Sequence, residues 1–165
     1  MTLVTDHLEK RGIRFEVLPH PPTQTAMQEA EALAAPPDEV VKTVVLDVSS
    51  GHALAILPAS RRLDLERVCE ALDEPGACLA EEEELIRDFP EFELGALPPL
   101  PSILHLPVVI DPEVLHHRTI TFAAGTQRES VRTAPHRLFT GASITITPIS
   151  VPIRPDAEHG AFDLD

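Results

Sequence analysis

The fold of this chain is organised around the stretch VVKTVVLDV, residues 40 to 48. Valine and leucine at this density predict a β-strand that is buried on both faces. Lys42 interrupts the apolar run, and burial of its ammonium group is costly unless the group is paired or reaches water. Two interpretations are open. The lysine either stands at the start of the strand and extends outward to solvent, or it holds a positive charge inside a pocket.

Length and composition predict one domain with a substantial core. The chain has 165 residues, 43% of them hydrophobic, and chains of about 150 residues bury some two-thirds of their unfolded surface. No secretory signal is recognised, and no apolar run approaches the ~20 residues that span a bilayer. We therefore expect a cytoplasmic protein that does not bind membranes. Cys69 and Cys78 form no CxxC pair and are expected to be reduced packing thiols.

The charge balance argues against a broad nucleic-acid-binding surface. The formal net charge is −14, from 13 basic and 27 acidic residues. Neutralising many phosphates requires clustered lysines and arginines, which this chain lacks. We expect no DNA binding, and we expect any polyanionic partner to be contacted locally.

Hydrophobic periodicity, caps and turn residues predict short helices interleaved with strands. Helices are expected at residues 2–11, 25–35 with Thr25 as cap, 65–72 with Asp64 as cap, from 81 onward, and at 135–139. Strands are expected at residues 13–17, 40–48, 53–59, 77–80, 106–110, 119–123, 129–132 and 144–147. A long proline-rich loop is expected from residue 89.

This order of elements predicts an α+β fold. Hairpin signals such as SSGH at residues 49–52 outnumber long crossovers, so the sheet should be mostly antiparallel or mixed, curled or barrel-like, and flanked by short helices. The domain is expected to span residues 1–147. Residues 148–165 are expected to be a polar, poorly ordered tail.

Common phosphate and metal motifs are missing from the sequence. Neither GxGxxG nor GxxxxGK[ST] occurs, so dinucleotide and P-loop chemistry lack support. The acidic run at residues 81–84 suits a helix N-terminus, and the adjacent side chains of His116 and His117 diverge, so no metal or cofactor is expected. No general base is identified. Among the scattered histidines, only His20 is placed where it could border a cleft.

Five segments, in order, resemble the YbaK/EbsC family, which includes free-standing relatives of the prolyl-tRNA synthetase editing domain. They are Lys42-Thr43, the stretch from Leu54 to Leu65 ending in RLDL, GALPP at residues 95–99, VVID at residues 108–111, and AGT at residues 124–126. The similarity covers about residues 1–147. It implies a YbaK-like fold and a trans-editing deacylase. Such an enzyme hydrolyses the ester of a mischarged tRNA, most often tRNA for proline carrying alanine, cysteine or a similar small amino acid.

The resemblance also implies where the site lies. Lys42 would contact the terminal phosphate or polar groups of the substrate. Gly95 and Pro99 delimit the family's GxxxP loop, whose amides can face the ester carbonyl or the ribose. These three are the implied catalytic residues, and Asp111 is either a polar wall or, as we favour, a helix cap. The implied substrate-binding residues are Thr25, Thr43, Ala96, Leu97, Pro98, Gly125 and Thr126.

The implied partner is the acceptor end of an aminoacyl-tRNA, which the protein either reads by itself or receives from prolyl-tRNA synthetase or an elongation factor. One departure from the family pattern leaves a second hypothesis open. Pro101 stands where members often place a glycine, which could stiffen the exit of the loop. The alternative is a non-catalytic module that uses the same pocket for a small anionic or nucleotide-like ligand.

Overall fold

The computed structural model describes residues 2–140 and 143–153, which form an α+β fold. The α-helices are α1 (Leu3–Lys10), α2 (Ala26–Leu33), α3 (Leu65–Leu72), α4 (Glu82–Asp88) and α5 (Pro101–Leu104). The strands are β1 (Glu16–Pro19), β2 (Val41–Val48), β3 (Gly51–Pro58), β4 (Arg61–Leu63), β5 (Cys78–Leu79), β6 (Val108–Ile110), β7 (Ile120–Thr126), β8 (Glu129–Thr133), β9 (Ile144–Ile146) and β10 (Ser150–Pro152). Short 3-10 helices lie at Pro37–Glu39, Pro112–His116 and Pro135–Arg137. None of the helices in these ranges could span a lipid bilayer.

Strand β2 lies inside a five-stranded sheet of order β5-β2-β3-β6-β9. It pairs antiparallel with β3 along its full length, which confirms the predicted hairpin. Both faces of β2 are covered, because Val45 belongs to one buried cluster and Val44 to another. A strand covered on both faces needs apolar residues at successive positions, and this explains why its sequence shows little alternation.

The remaining strands make the architecture mixed. β6 pairs in parallel with β3 and with β9. A second sheet, of order β1-β8-β7, is antiparallel throughout and meets the first where Val40 bridges Thr121. The α+β prediction, with mostly antiparallel or mixed strands and short helices, is confirmed. The barrel-like closure is not observed, since each described sheet is open and has two edge strands.

Side-chain caps determine where two helices begin. The Oγ1 atom of Thr25 accepts the N–H of Gln28 at 3.1 Å, and Asp64 Oδ1 accepts the N–H of Arg67 at 3.4 Å. Both caps agree with the sequence prediction, and each satisfies a backbone donor that a helix start leaves unpaired. Helix α2 ends at Leu33, before the predicted residue 35, because the next residue adopts a left-handed conformation.

Residues 149–152 belong to the fold, so the expectation of a poorly ordered tail from residue 148 is wrong there. Ile149 is fully buried, and β10 pairs antiparallel with β4. The carboxylate of Asp111 holds this segment: Oδ2 accepts the Ile149 N–H at 3.0 Å and the Ser150 hydroxyl at 2.6 Å. Its Oδ1 caps the next 3-10 helix by accepting the Glu113 N–H at 3.0 Å, as the cap interpretation expected. The rest of the predicted tail, residues 154–165, lies outside the described residues.

Candidate functional site

A cleft of about 410 Å³ opens between β2, α4, the start of α2 and the loop that carries Gly95. Its walls combine apolar and polar groups, with Val45 and Leu85 among the apolar side chains and Thr25 and Thr43 among the polar ones. A concave site that combines apolar surface with placed polar groups is the usual form of a small-molecule or substrate site.

A second, smaller cavity of about 30 Å³, the inner end of the site, adjoins the cleft and shares Thr25, Thr43 and Gly95 with it. Glu29 and Lys42 also border this inner end and are only 3% and 5% exposed. The interpretation in which Lys42 extends outward to solvent is therefore wrong. The strand carries its lysine at the inner end of a cleft.

Thr43 follows Lys42 on β2 and brings a hydroxyl to the site. Its Oγ1 atom is buried and has no hydrogen-bond partner among the residues that the structure describes. Buried polar groups are nearly always paired in native proteins. An unpaired hydroxyl on a residue that lines a cleft is therefore available to a bound ligand.

Gly95 forms the lip of the cleft by contact with the chain that precedes α2. Its φ angle is 76°, in the region that favours glycine. A Cβ atom at this position would lie 1.9 Å from the carbonyl oxygen of Gln24, far inside van der Waals contact. Two features of the position therefore require glycine: its backbone conformation and its close approach to the Gln24 carbonyl.

The second sheet supports the Gly95 loop from behind. Gly125 donates its N–H to the Ala96 carbonyl at 3.1 Å, and its own carbonyl accepts the Glu93 N–H at 3.0 Å. Thr126 Oγ1 accepts the Arg128 N–H at 3.3 Å within the hairpin turn. In the described structure Gly125 and Thr126 do not border the cleft. Gly125 instead holds the loop that does.

The rest of the GxxxP loop is divided between the cleft and the core. Leu97 lines the cleft, whereas Ala96, Pro98 and Pro99 are buried without bordering it. Pro101 takes the first position of α5, where its missing N–H is not needed. The proline that replaces the family's usual glycine at this position therefore starts a helix turn. It lies beyond the part of the loop that borders the cleft.

A chain of hydrogen bonds leads from the inner end to the edge of the protein. The Ser130 hydroxyl donates to Glu29 Oε2, and His20 Nε2 lies 2.8 Å from Ser130 Oγ. The other ring nitrogen, His20 Nδ1, lies 2.8 Å from the carbonyl oxygen of Pro21. Burial raises the pKa of Glu29 to about 7, against the opposing effect of the Ser130 hydrogen bond. His20 does not border the cleft and is linked to its inner end only through Ser130 and Glu29.

Sequence reasoning did not identify Glu29 as a site residue. Its signal was present in α2, where the buried positions are Ala26, Glu29 and Ala30. These are spaced for one helix face, so a carboxylate occupies an otherwise apolar stripe. Its partner Ser130 lies 101 residues away, and sequence spacing could not have revealed that pairing.

Among the described residues, one group of side chains could hold a metal ion. It is formed by Asp47, His52 and Glu84. His52 Nε2 lies 2.8 Å from Asp88 Oδ2, and its Nδ1 lies 3.0 Å from Asp47 Oδ1 without hydrogen-bond geometry. Burial lowers the pKa of His52, but the Asp88 hydrogen bond and the nearby carboxylates outweigh it and raise the pKa. His52 thus lies between two carboxylates that raise its pKa, and the cluster does not border the cleft.

A model of the aminoacyl-tRNA editing domain family matches residues 20–140 of the chain. Among curated proteins, the proline–tRNA ligase of Fervidobacterium nodosum is 26% identical over 87 residues, which are 53% of this chain and 15% of that protein. The chain therefore spans a small part of that relative's length.

Solved structures match nearly the whole chain. A candidate trans-editing enzyme for prolyl tRNA synthetase has a TM-score of 0.74 at 27% identity, over 90% of this chain and 94% of its own. The hypothetical protein APE2540 has a TM-score of 0.79 at 21% identity, over 90% of this chain and 99% of its own. The second likeness shows a shared fold alone.

Proposed function

The chain belongs to the aminoacyl-tRNA editing domain family, and on this premise we propose that it is a free-standing deacylase of mischarged aminoacyl-tRNA. The observation that carries the proposal is the cleft itself. Its lip is the Gly95 loop, held against Gln24, and its inner end is bordered by Lys42. Two of the three implied catalytic residues, Lys42 and Gly95, therefore border one cavity, while Pro99 is buried behind the loop.

The arrangement suits hydrolysis of an aminoacyl ester. Such an ester is already activated, so an enzyme gains most by fixing its geometry and placing donors against the carbonyl. Gly95 lets an ester or ribose approach the loop backbone closely. Lys42 supplies a positive charge suited to a phosphate or a developing oxyanion, and the hydroxyls of Thr25 and Thr43 supply polar contacts.

We propose tRNA for proline, carrying alanine, cysteine or a similar small amino acid, as the substrate. Support comes from the two relatives that are named for prolyl-tRNA synthesis or editing. One methylene group is worth only about 1 to 3 kcal/mol in an apolar pocket. Discrimination among small amino acids is therefore expected to be graded, and a panel of substrates is needed to rank them.

The negative charge of the chain limits how it holds tRNA. At −14, the protein is not suited to gripping the long phosphate backbone, since that contact depends on clustered basic residues. We propose that it reads only the acceptor end, or receives its substrate from prolyl-tRNA synthetase or an elongation factor. Filter binding checks this: the isolated protein should hold uncharged tRNA weakly, and tight, salt-sensitive binding would contradict the proposal.

Deacylation of a panel of mischarged tRNAs tests the function. Wild type should hydrolyse at least one of alanyl-, cysteinyl- or seryl-tRNA for proline, and Lys42→Ala should lower kcat/KM by about 10² to 10³-fold. The matched control is Lys10→Ala, which removes the chain's other lysine from the exposed end of α1 and should leave activity unchanged.

The alternative function, a non-catalytic binding module, predicts no hydrolysis by wild type. Its sequence support was Pro101, which in the fold begins α5. A ligand screen against the cleft becomes the next experiment if every substrate in the panel stays intact.

A further inference from the structure

The inner end of the cleft contains a buried carboxyl group that the proposed function does not yet use. Glu29 is 3% exposed and borders the same small space as Lys42, Thr43 and Gly95. Burying a carboxyl group in an apolar helix face costs stability unless its environment compensates. It lies beside the residues that the proposed function assigns to holding the ester.

The hydrogen-bond chain from Glu29 can pass a proton. The Pro21 carbonyl can only accept, so His20 Nδ1 carries a hydrogen. In one arrangement His20 Nε2–H donates to Ser130, and Ser130 donates to an ionised Glu29. In the other, protonated Glu29 donates to Ser130, and Ser130 donates to a neutral His20. The two arrangements differ by one proton that has moved through the serine hydroxyl.

We propose that Glu29 is the proton acceptor for the hydrolytic water, and that Ser130 and His20 connect it to solvent. This inference rests on the proposed deacylase function. The water oxygen forms a bond to the ester carbonyl carbon while one water proton moves to the Glu29 carboxylate. The bond between that carbon and the ribose oxygen then breaks, and the leaving oxygen takes the proton from Glu29. The amino acid leaves as a carboxylic acid, whose proton returns to Glu29 and passes to solvent through Ser130 and His20.

The electrostatic surroundings agree with this role. Lys42 borders the same space from β2. Strand β7, which packs against α2, carries no titratable side chain. The 3-10 helix Pro37–Glu39 contributes Asp38, which is exposed and accepts the Ser60 hydroxyl at 2.5 Å, and Glu39. A carboxyl group that titrates near neutral pH matches the requirement for a general base.

The first test compares Glu29→Gln with wild type on the mischarged tRNA that wild type hydrolyses fastest, with spontaneous hydrolysis subtracted. We expect kcat to fall by roughly 10² to 10⁴-fold. The wild-type rate should rise as pH increases through about 7, and the variant should lose this limb. The matched control is Glu31→Gln, an exposed glutamate on the same helix. A Glu29→Gln enzyme within a few-fold of wild type, with the same pH profile, overturns the proposal while leaving the deacylase function intact.

The second test addresses the path through the half-buried His20. His20→Ala should reduce kcat with little change in KM, and added imidazole should restore the rate, because a small base can take the vacated place. A structural role for His20 predicts no rescue, so an impaired variant that imidazole does not restore overturns the path.

A third measurement does not depend on activity. By NMR, the Glu29 carboxyl carbon should titrate near pH 7 in the wild type, and Ser130→Ala, which removes the hydrogen bond that lowers this pKa, should move the midpoint upward. An unchanged midpoint in that variant overturns the path. A wild type that hydrolyses nothing in the panel instead overturns the proposed function, and with it the role of Glu29 as acceptor.

Discussion

The carbonyl oxygen of Gln24 lies where the first side-chain atom of any other residue at position 95 would have to be. The distance from that oxygen to a Cβ built on Gly95 is 1.9 Å. No side-chain rotation can relieve this clash, because the Gln24 carbonyl and the Gly95 Cα that would carry the Cβ both belong to the backbone. This contact joins the loop at residues 94–97 to the start of α2, and it sets the width of the cleft at its lip.

We predict that Gly95→Ala separates these two segments and disables the cleft. Strain at a positive φ adds roughly 1 to 3 kcal/mol to the steric clash, so Tm should fall and kcat/KM should fall by more than the loss of folded protein explains. Thermal unfolding and deacylation, measured on the same samples, check this.

Gly76→Ala is the matched control for that substitution. A Cβ at Gly76 would meet nothing within 4 Å, and its φ is not in the positive range. Its activity should equal that of wild type. Normal activity in Gly95→Ala would show that the lip is not required.

Glu29 should make the folded state less stable as pH rises. Its pKa is raised from 4.5 to about 7 on folding, so between these values the folded state binds more protons than the unfolded state. The free energy of unfolding therefore declines across this window, by up to about 3 kcal/mol. Glu29→Gln should remove the decline and be more stable than wild type at pH 8. Urea unfolding at pH 5 and pH 8 measures this, and an equal pH dependence in both proteins would contradict it.

His52 should contribute stability with the same direction of pH dependence. Its pKa is raised in the folded protein despite the opposing effect of burial, so its contribution is complete below about 6.5 and is lost as pH rises through the raised pKa. His52→Asn should lower Tm more at pH 6 than at pH 8.5. His136→Asn, at an exposed position, is the control and should shift Tm little at either pH.

Asp111 is predicted to be a stability residue rather than a substrate contact. Asp111→Ala would leave three donors without their acceptor, those of Glu113, Ile149 and Ser150. Each unpaired buried donor costs about 1 to 3 kcal/mol, so a loss of several kcal/mol is expected, with kcat of the remaining folded enzyme unchanged. Asp6→Ala, on the exposed side of α1, should lose much less. A selective loss of kcat in Asp111→Ala would reassign the residue to the site.

Local features were predictable from the sequence. The β2–β3 hairpin follows from an apolar run, a turn and a second apolar run, and the 65–72 helix follows from its Asp64 cap and its apolar stripe. Non-local pairings were not predictable. The parallel pairing of β6 with β3 joins strands far apart in sequence, and β10 is three residues long with one buried neighbour, Ile149, to mark it.

The same distinction between local and non-local features applies to the candidate site. Five of the residues implied by the resemblance border the cleft or its inner end: Lys42, Thr25, Thr43, Gly95 and Leu97. Gly125 was expected there as well, but its spacing in sequence could not distinguish a residue in the cleft from one behind the loop. Glu29 could not be identified from the sequence because its role depends on Ser130, which lies close to it only in the folded chain.

The backbone bonds between Gly125 and the Gly95 loop have a consequence for substrate choice. They fasten the lip of the cleft to an antiparallel hairpin, so the two loop amides that donate hydrogen bonds, those of Glu93 and Ala96, should resist hydrogen exchange. We expect an aperture held this way to keep its width rather than to close as a flap. Substrate choice would then depend on which acylated tRNA ends fit through a rigid opening. Substitutions in the residues that border the opening should therefore change selectivity more than changes in loop motion do.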